Sequence, residues 1–105
     1  MLELCCGPGT LYRRYLHVRT RAYVGIDVNR RFVDRLRRRG IEARRLDLGS
    51  GAGDPLPRAD AVIMQASLYH FLPDPERILD AMLAASRDRV IVSEPVRNSP
   101  RVTCR

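Results

Sequence analysis

Residues 2–29 read LELCCGPGTLYRRYLHVRTRAYVGIDVN, and the fold turns on this stretch. Leu2 to Cys6 has the short apolar character of a strand, and it runs into the turn Gly7-Pro8-Gly9. Beyond the turn, Leu11, Tyr12, Tyr15 and Leu16 recur at helical spacing, and Thr10 is placed to cap that helix. Tyr23, Val24 and Ile26 then supply a second strand, Ala22 to Asp27. Strand, glycine turn, helix and strand in that order form the first unit of a parallel α/β sheet, closed by a right-handed crossover.

The pattern continues downstream. Asn29 is an N-cap for a helix through Arg39 that buries Phe32, Val33 and Leu36, and Gly40 stands at its left-handed C-terminal cap. Ile41 to Leu46 is a third, more polar strand. Asp47 to Arg58 reads as a loop rich in glycine and proline, where a third full helix would be expected. Ala61 to Met64 is apolar at every position, as a strand buried on both faces should be. Leu68 to Leu72 reads as a short helical turn. Asp74-Pro75-Glu76 is a strong helix start, and the helix runs to about Ser86 with Ile78, Leu79, Met82 and Leu83 buried. Arg89 to Ser93 is a fifth strand, and Pro95 onward a polar tail. With no repeat and no internal linker, the expectation is one three-layer α/β domain over residues 1–98 and a tail over 99–105.

Composition narrows the function classes. A chain of 105 residues, 45% hydrophobic and 30% charged, holds one soluble core and no second one. Its apolar runs fall far short of the ~20 residues that span a bilayer. Met1-Leu2-Glu3-Leu4 carries an acid where a signal peptide carries a base. The net charge of +7 invites an anionic partner, yet all 19 basic residues are arginine, the usual product of a GC-rich coding sequence. Of the three cysteines, Cys5 and Cys6 are adjacent, where a bridge would be strained, and no spacing suits zinc. A reducing, cytoplasmic setting, no metal and no membrane association are expected.

In a parallel α/β sheet the ligand sits beyond the carboxyl ends of the strands, where the strand order reverses. The residues that fall there are Cys6-Gly7-Pro8-Gly9, Asp27, Asp47, Gln65 and Glu94. These are glycines, carboxylates and an amide, the makings of a small-molecule site. Gly7 and Gly9 allow close backbone approach, and the following amides face the ligand. An acid about twenty residues after such a turn commonly accepts both hydroxyls of a ribose, which makes Asp27 a candidate nucleoside contact. The structural alternatives are a tight turn without a ligand, and an Asp27 that only assists the next cap.

Glu3-Leu4-Cys5-Cys6-Gly7-Pro8-Gly9, Gly25-Ile26-Asp27 and Asp47 resemble the first three motifs of the class I S-adenosylmethionine-dependent methyltransferases. Asp60-Ala61-Val62-Ile63-Met64, with Leu68-Tyr69-His70-Phe71-Leu72-Pro73-Asp74 after it, resembles that family's fourth strand and following loop. Val90-Ile91-Val92-Ser93-Glu94-Pro95 is similar to its fifth strand. The resemblance implies a Rossmann-like sandwich with a mostly parallel sheet of about five strands in the order 3-2-1-4-5. It implies S-adenosyl-L-methionine as cofactor and methyl transfer to a small-molecule acceptor. Gly7 and Gly9 would border the methionine half, with Glu3 supporting the turn and contacting the amino group. Asp27 would hold the ribose, Asp47 the adenine amino group, the Leu48 amide the ring, and Gln65 would stand near the methionine and the substrate's path.

Cys5 departs from the family pattern, standing where a first glycine often lies. Neither Cys5 nor Cys6 has a partnered base in the sequence, so both read as small buried residues rather than nucleophiles. His70 is the one candidate base for a substrate hydroxyl, packing in its turn being the plainer role. The chain matches the family from its first strand to its fifth, without the family's preceding helix or its C-terminal helix and hairpin, as a compact or truncated member would. Two alternatives follow: a cofactor-binding remnant or regulatory subunit without turnover, and an RNA-binding module built on the eight arginines of Arg30 to Arg45. A buried face on that helix and the lack of interleaved aromatics argue against nucleic acid. The order 3-2-1-4-5 would leave Val90-Ile91-Val92 on an edge, to be covered by Pro95 to Arg105, a second copy or a partner chain.

Overall fold

The computed structural model describes residues 1–49, 56–71 and 74–94, and of Tyr69 and His70 the backbone alone. The elements are β1 (Leu2–Leu4), α1 (Thr10–Arg14), a 3₁₀ turn (Leu16–Val18), β2 (Val24–Asp27), α2 (Arg30–Arg38) and β3 (Ala43–Arg45). They continue with β4 (Ala59–Gln65), a second 3₁₀ turn (Leu68–Phe71), α3 (Pro75–Ala85) and β5 (Ser86–Ser93). The five strands form one sheet in the order β3-β2-β1-β4-β5, and every pairing is parallel. β1 lies at the centre, with Leu2 level with Val24 on one side and Val62 on the other. The order reverses between β1 and β4, so a site at the switch point lies over the carboxyl ends of β1, β2 and β4.

Side-chain alternation along the strands divides the core in two. Leu2, Leu4, Ile26, Val62 and Met64 face α3, which buries Ile78, Met82 and Ala85 against them. On the opposite face Val33 and Leu36 of α2 pack with Cys6 and Ala43. The Asn29 side chain accepts from the amides of Arg31 and Phe32, the expected N-cap. At the other end the amides of Gly40 and Ile41 return to the carbonyls of Arg37 and Leu36, closing the helix.

Several local expectations need correction. α1 is one short piece with no buried residue, and Tyr15 is exposed, because the helix breaks there and gives way to a 3₁₀ turn. Its N-cap is Gly9 rather than Thr10, which is the first helical residue. Asp74 sits at the N-cap of α3 but makes no side-chain cap bond. Leu83 is 61% exposed, since the helix turns Ile78, Met82 and Ala85 to the sheet instead. β4 is longer than its apolar run, and only Val62 and Met64 are fully buried; Ala61 and Ile63, on the other face, are half-buried. β5 follows α3 without a connecting loop and lies at the sheet edge, with Ile91 38% exposed. The tail from Pro95 lies outside the described residues.

Candidate functional site

The site starts at the end of β1. Cys5 adopts φ 56°, a left-handed conformation that side chains rarely take, and Gly7 and Gly9 follow at φ 57° and 80°. The Cys6 amide bonds the Ile26 carbonyl of β2, and the Gly9 amide returns to the Cys6 carbonyl, so the chain folds back over the strand end. At Gly9 a Cβ would come within 2.6 Å of the Leu36 side chain. That close approach and the φ of 80° together favour glycine there, and the turn is seated directly on α2.

Asp27 ties the turn to β2. One carboxylate oxygen accepts the Gly7 amide at 2.7 Å and the other accepts the Asn29 amide at 2.9 Å. The side chain is thereby held rigidly at the strand end, half-buried, with further acceptor capacity on each oxygen. Beyond β3, Asp47 accepts from the Gly49 amide at 3.0 Å, and Leu48 packs against the core. On the β4 side, Ser67 is buried and its hydroxyl donates to the Gln65 carbonyl.

These segments enclose a cleft of about 410 Å³ lined by Cys5, Gly7, Asp27, Val28, Leu46, Asp47, Leu48, Gly49, Ser67 and Phe71. That size is within the ~300–1,000 Å³ of small-molecule sites. A cavity of about 490 Å³ lies at the opposite, amino-terminal ends of the strands, but it lacks the glycine turn and both aspartates. The cleft at the carboxyl ends is the one where the candidate residues converge.

Four of the seven residues singled out for the cofactor line this cleft: Gly7, Asp27, Asp47 and Leu48. Gly9 is buried against Leu36, and Gln65 is exposed at the end of β4; neither lines it. Glu3 lies behind the turn, 3% exposed, where the Tyr23 hydroxyl donates to it at 2.6 Å. Burial pushes its carboxyl up to about 7, against the lowering effect of the Tyr23 bond and with some help from the charge of Asp27. Tyr23 in turn stacks on Tyr12 and touches the space that a Cβ on Gly25 would need.

Cys5, Val28, Leu46, Gly49, Ser67 and Phe71 also line the cleft and were not singled out. Cys5 and Phe71 lay within motifs already in view, but Ser67 carried no sequence signal. Burial, then the nearby carboxylates, raise the Cys5 thiol to about 11 and the Cys6 thiol to about 12. Both are protonated at neutral pH and are poor nucleophiles. The backbone of His70 lies in the 3₁₀ turn after β4, and its side chain lies outside the described residues. Among the described residues no three His, Cys, Asp or Glu side chains cluster as a metal site would need, and no helix is long and apolar enough to cross a membrane.

The model of the family described as "Methyltransferase domain" matches residues 2–91. Among solved structures, the complex of DhpI with SAM and HEP superposes with a TM-score of 0.75 at 24% identity, over 95% of this chain and 48% of that one. The DhpI–SAH complex is 26% identical, with a TM-score of 0.65 over 81% of this chain and 42% of that one. The [4+2]-cyclase SpnF is similar as well, at 23% identity and a TM-score of 0.64, over 81% and 34% of the two chains. The chain therefore spans less than half the length of these neighbours. No curated protein matches it.

Proposed function

The chain belongs to the class I S-adenosylmethionine-dependent methyltransferase family, and from that premise we propose that its cleft binds S-adenosyl-L-methionine for methyl transfer to a small-molecule acceptor. The observation that carries the reading is the seat of Asp27. It is fixed by two backbone amides at the switch point, beside the glycine turn and across from Asp47 and Leu48. The donor sets match: Asp27 and Asp47 offer only acceptors, while ribose hydroxyls and an adenine amino group are donors. Two carboxylates also suit a ligand that carries a sulfonium charge.

In this reading Asp27 holds the ribose, Asp47 accepts from the adenine amino group, and the Leu48 amide meets the ring edge. Val28, Leu46 and Phe71 supply apolar walls that keep water from the ligand. Gly7 borders the methionine half, and Glu3 acts from behind, holding the turn through Tyr23. When bound, the cofactor supplies an activated methyl on sulfur, so the protein contributes alignment more than acid–base chemistry. A catalytic base is not required, and His70 is the candidate if the acceptor is a hydroxyl.

Methyl-labelled cofactor offered with a panel of small-molecule acceptors tests the activity, and label in an acceptor is the expected result. A chain that binds the cofactor but moves no label would instead be the non-catalytic subunit of the second reading. A partner chain or second copy at the β5 edge belongs to the same proposal. The arginine-rich face of α2 is read as solvated surface, not as a nucleic-acid site.

A further inference from the structure

We propose that Glu94, which does not itself line the cleft, is a positioning residue for it: from the end of β5 its carboxylate sets the connection after β4 so that Ser67 stands against Cys5 in the cleft wall. The inference rests on the cofactor reading and extends it to a residue outside the cleft.

Three consecutive amides carry the argument. Just past β4, the Ala66 amide donates to the Ser93 carbonyl at 2.6 Å. The amides of Ser67 and Leu68 then converge on one oxygen of Glu94, at 2.9 and 3.0 Å. Ala66 has φ 54°, a left-handed conformation that a residue with a Cβ adopts only where surrounding bonds impose it. The end of β5 is what imposes it. Bonds from two amides to a carboxylate are charge-assisted, stronger than neutral ones and directional.

The consequence reaches the cleft. The turn at Ala66 brings Ser67 inward, where it is buried and lines the cleft together with Cys5. Cys5 is itself left-handed, at φ 56°. Two neighbouring parallel strands thus each run into a left-handed residue, Cys5 after β1 and Ala66 after β4, and Cys5 and Ser67 both stand in the wall of the cleft. Without Glu94, Ala66 is free to relax toward extended backbone and Ser67 to leave. Asp27 and Asp47 stand on the β2–β3 side of the cleft and Ser67 on the β4 side. Loss of Glu94 should therefore weaken the hold on the amino-acid half of the ligand and spare the nucleoside half.

Calorimetric titration of the full chain with S-adenosylhomocysteine and with adenosine, for wild type, Glu94→Ala and Glu94→Gln, tests this. Glu94→Ala should lower affinity for S-adenosylhomocysteine about tenfold and change that for adenosine by less than about twofold. Glu94→Gln keeps an oxygen for both amides and should restore most of the loss. Hydrogen exchange of Ser67 and Leu68 should quicken in Glu94→Ala while β1 amides stay protected. Should that variant not fold, Glu94→Asp, whose shorter stem withdraws the oxygen, carries the same comparison. Unchanged affinity for S-adenosylhomocysteine, or an equal loss for both ligands, overturns the positioning role alone. A wild-type chain that binds neither ligand overturns the cofactor reading, and with it Glu94's part in binding.

Discussion

Glu3 pairs a buried carboxyl with a single short hydrogen bond, and its burial has a cost that depends on pH. Its carboxyl rises from an ordinary 4.5 to about 7, chiefly through burial. Below pH 4.5 both folded and unfolded chains hold the proton. Between 4.5 and 7 the unfolded chain ionises while the folded chain does not, so stability falls as pH rises, and the loss levels off above 7. The loss is worth roughly 3 kcal/mol. Denaturant unfolding at pH 5 and pH 8 should show it in the wild type and not in Glu3→Gln; parallel pH dependence in the two would refute the account. Residue by residue, the site was legible where chemistry follows the strand ends. Asp27 stood out as an acid after a glycine turn, and its two amide bonds suit that reading. Ser67 was illegible because its place depends on a left-handed alanine and on a carboxylate 27 residues away. Glu3 was read as supporting the turn and contacting the amino group; alternation along β1 buries it beneath the turn, where it accepts from Tyr23.

Among the elements, α2 and α3 carry a matched pair of starts. Asn29 accepts two amides of α2, whereas Asp74 makes no side-chain cap bond to α3. Asn29→Ala should therefore destabilise the chain by about 1 kcal/mol. Asp74→Ala should cost only a few tenths, through the helix dipole. Equal losses in chemical denaturation would mean that the two caps are alike in solution. The helices were legible in type and order because their apolar positions keep a helical period. α1 was overestimated for a physical reason: Tyr12 finds its partner in Tyr23, while Tyr15 is 52% exposed and packs on no core among the described residues. Of the buried face read for α2, Val33 and Leu36 are buried and Phe32 is half-buried. Its arginines point outward, as a composition biased toward arginine leaves them. The ion pairs among the described residues, Arg44–Glu42, Arg87–Asp60 and Arg89–Asp88, are all well exposed and add little stability.

At the level of the whole molecule, the sheet order came from the family resemblance rather than from periodicity, and the parallel order β3-β2-β1-β4-β5 bears it out. Alternation of strands and helices alone demanded a parallel sheet but not which strand lies at its centre. What covers β5 could not be read, because edge protection depends on segments that have no periodic signal. β5 pairs with β4 on one side, and Val90 and Val92 pack inward while Ile91 stands 38% exposed. Association through this edge predicts a concentration-dependent dimer or heavier species in sedimentation, with slow exchange of the Val90–Val92 amides. A sharp monomer with fast exchange there would rule out a partner at the edge. The central claim is that this sheet carries a nucleoside site at its switch point. Its most direct test is calorimetric titration with S-adenosylhomocysteine of the wild-type chain and of Asp27→Ala. A charge-assisted hydrogen bond contributes roughly 1.5–3 kcal/mol, so wild-type binding at one site and at least about a tenfold loss in the variant are predicted. Equal affinity in the two chains, or no binding by the wild type, would contradict it.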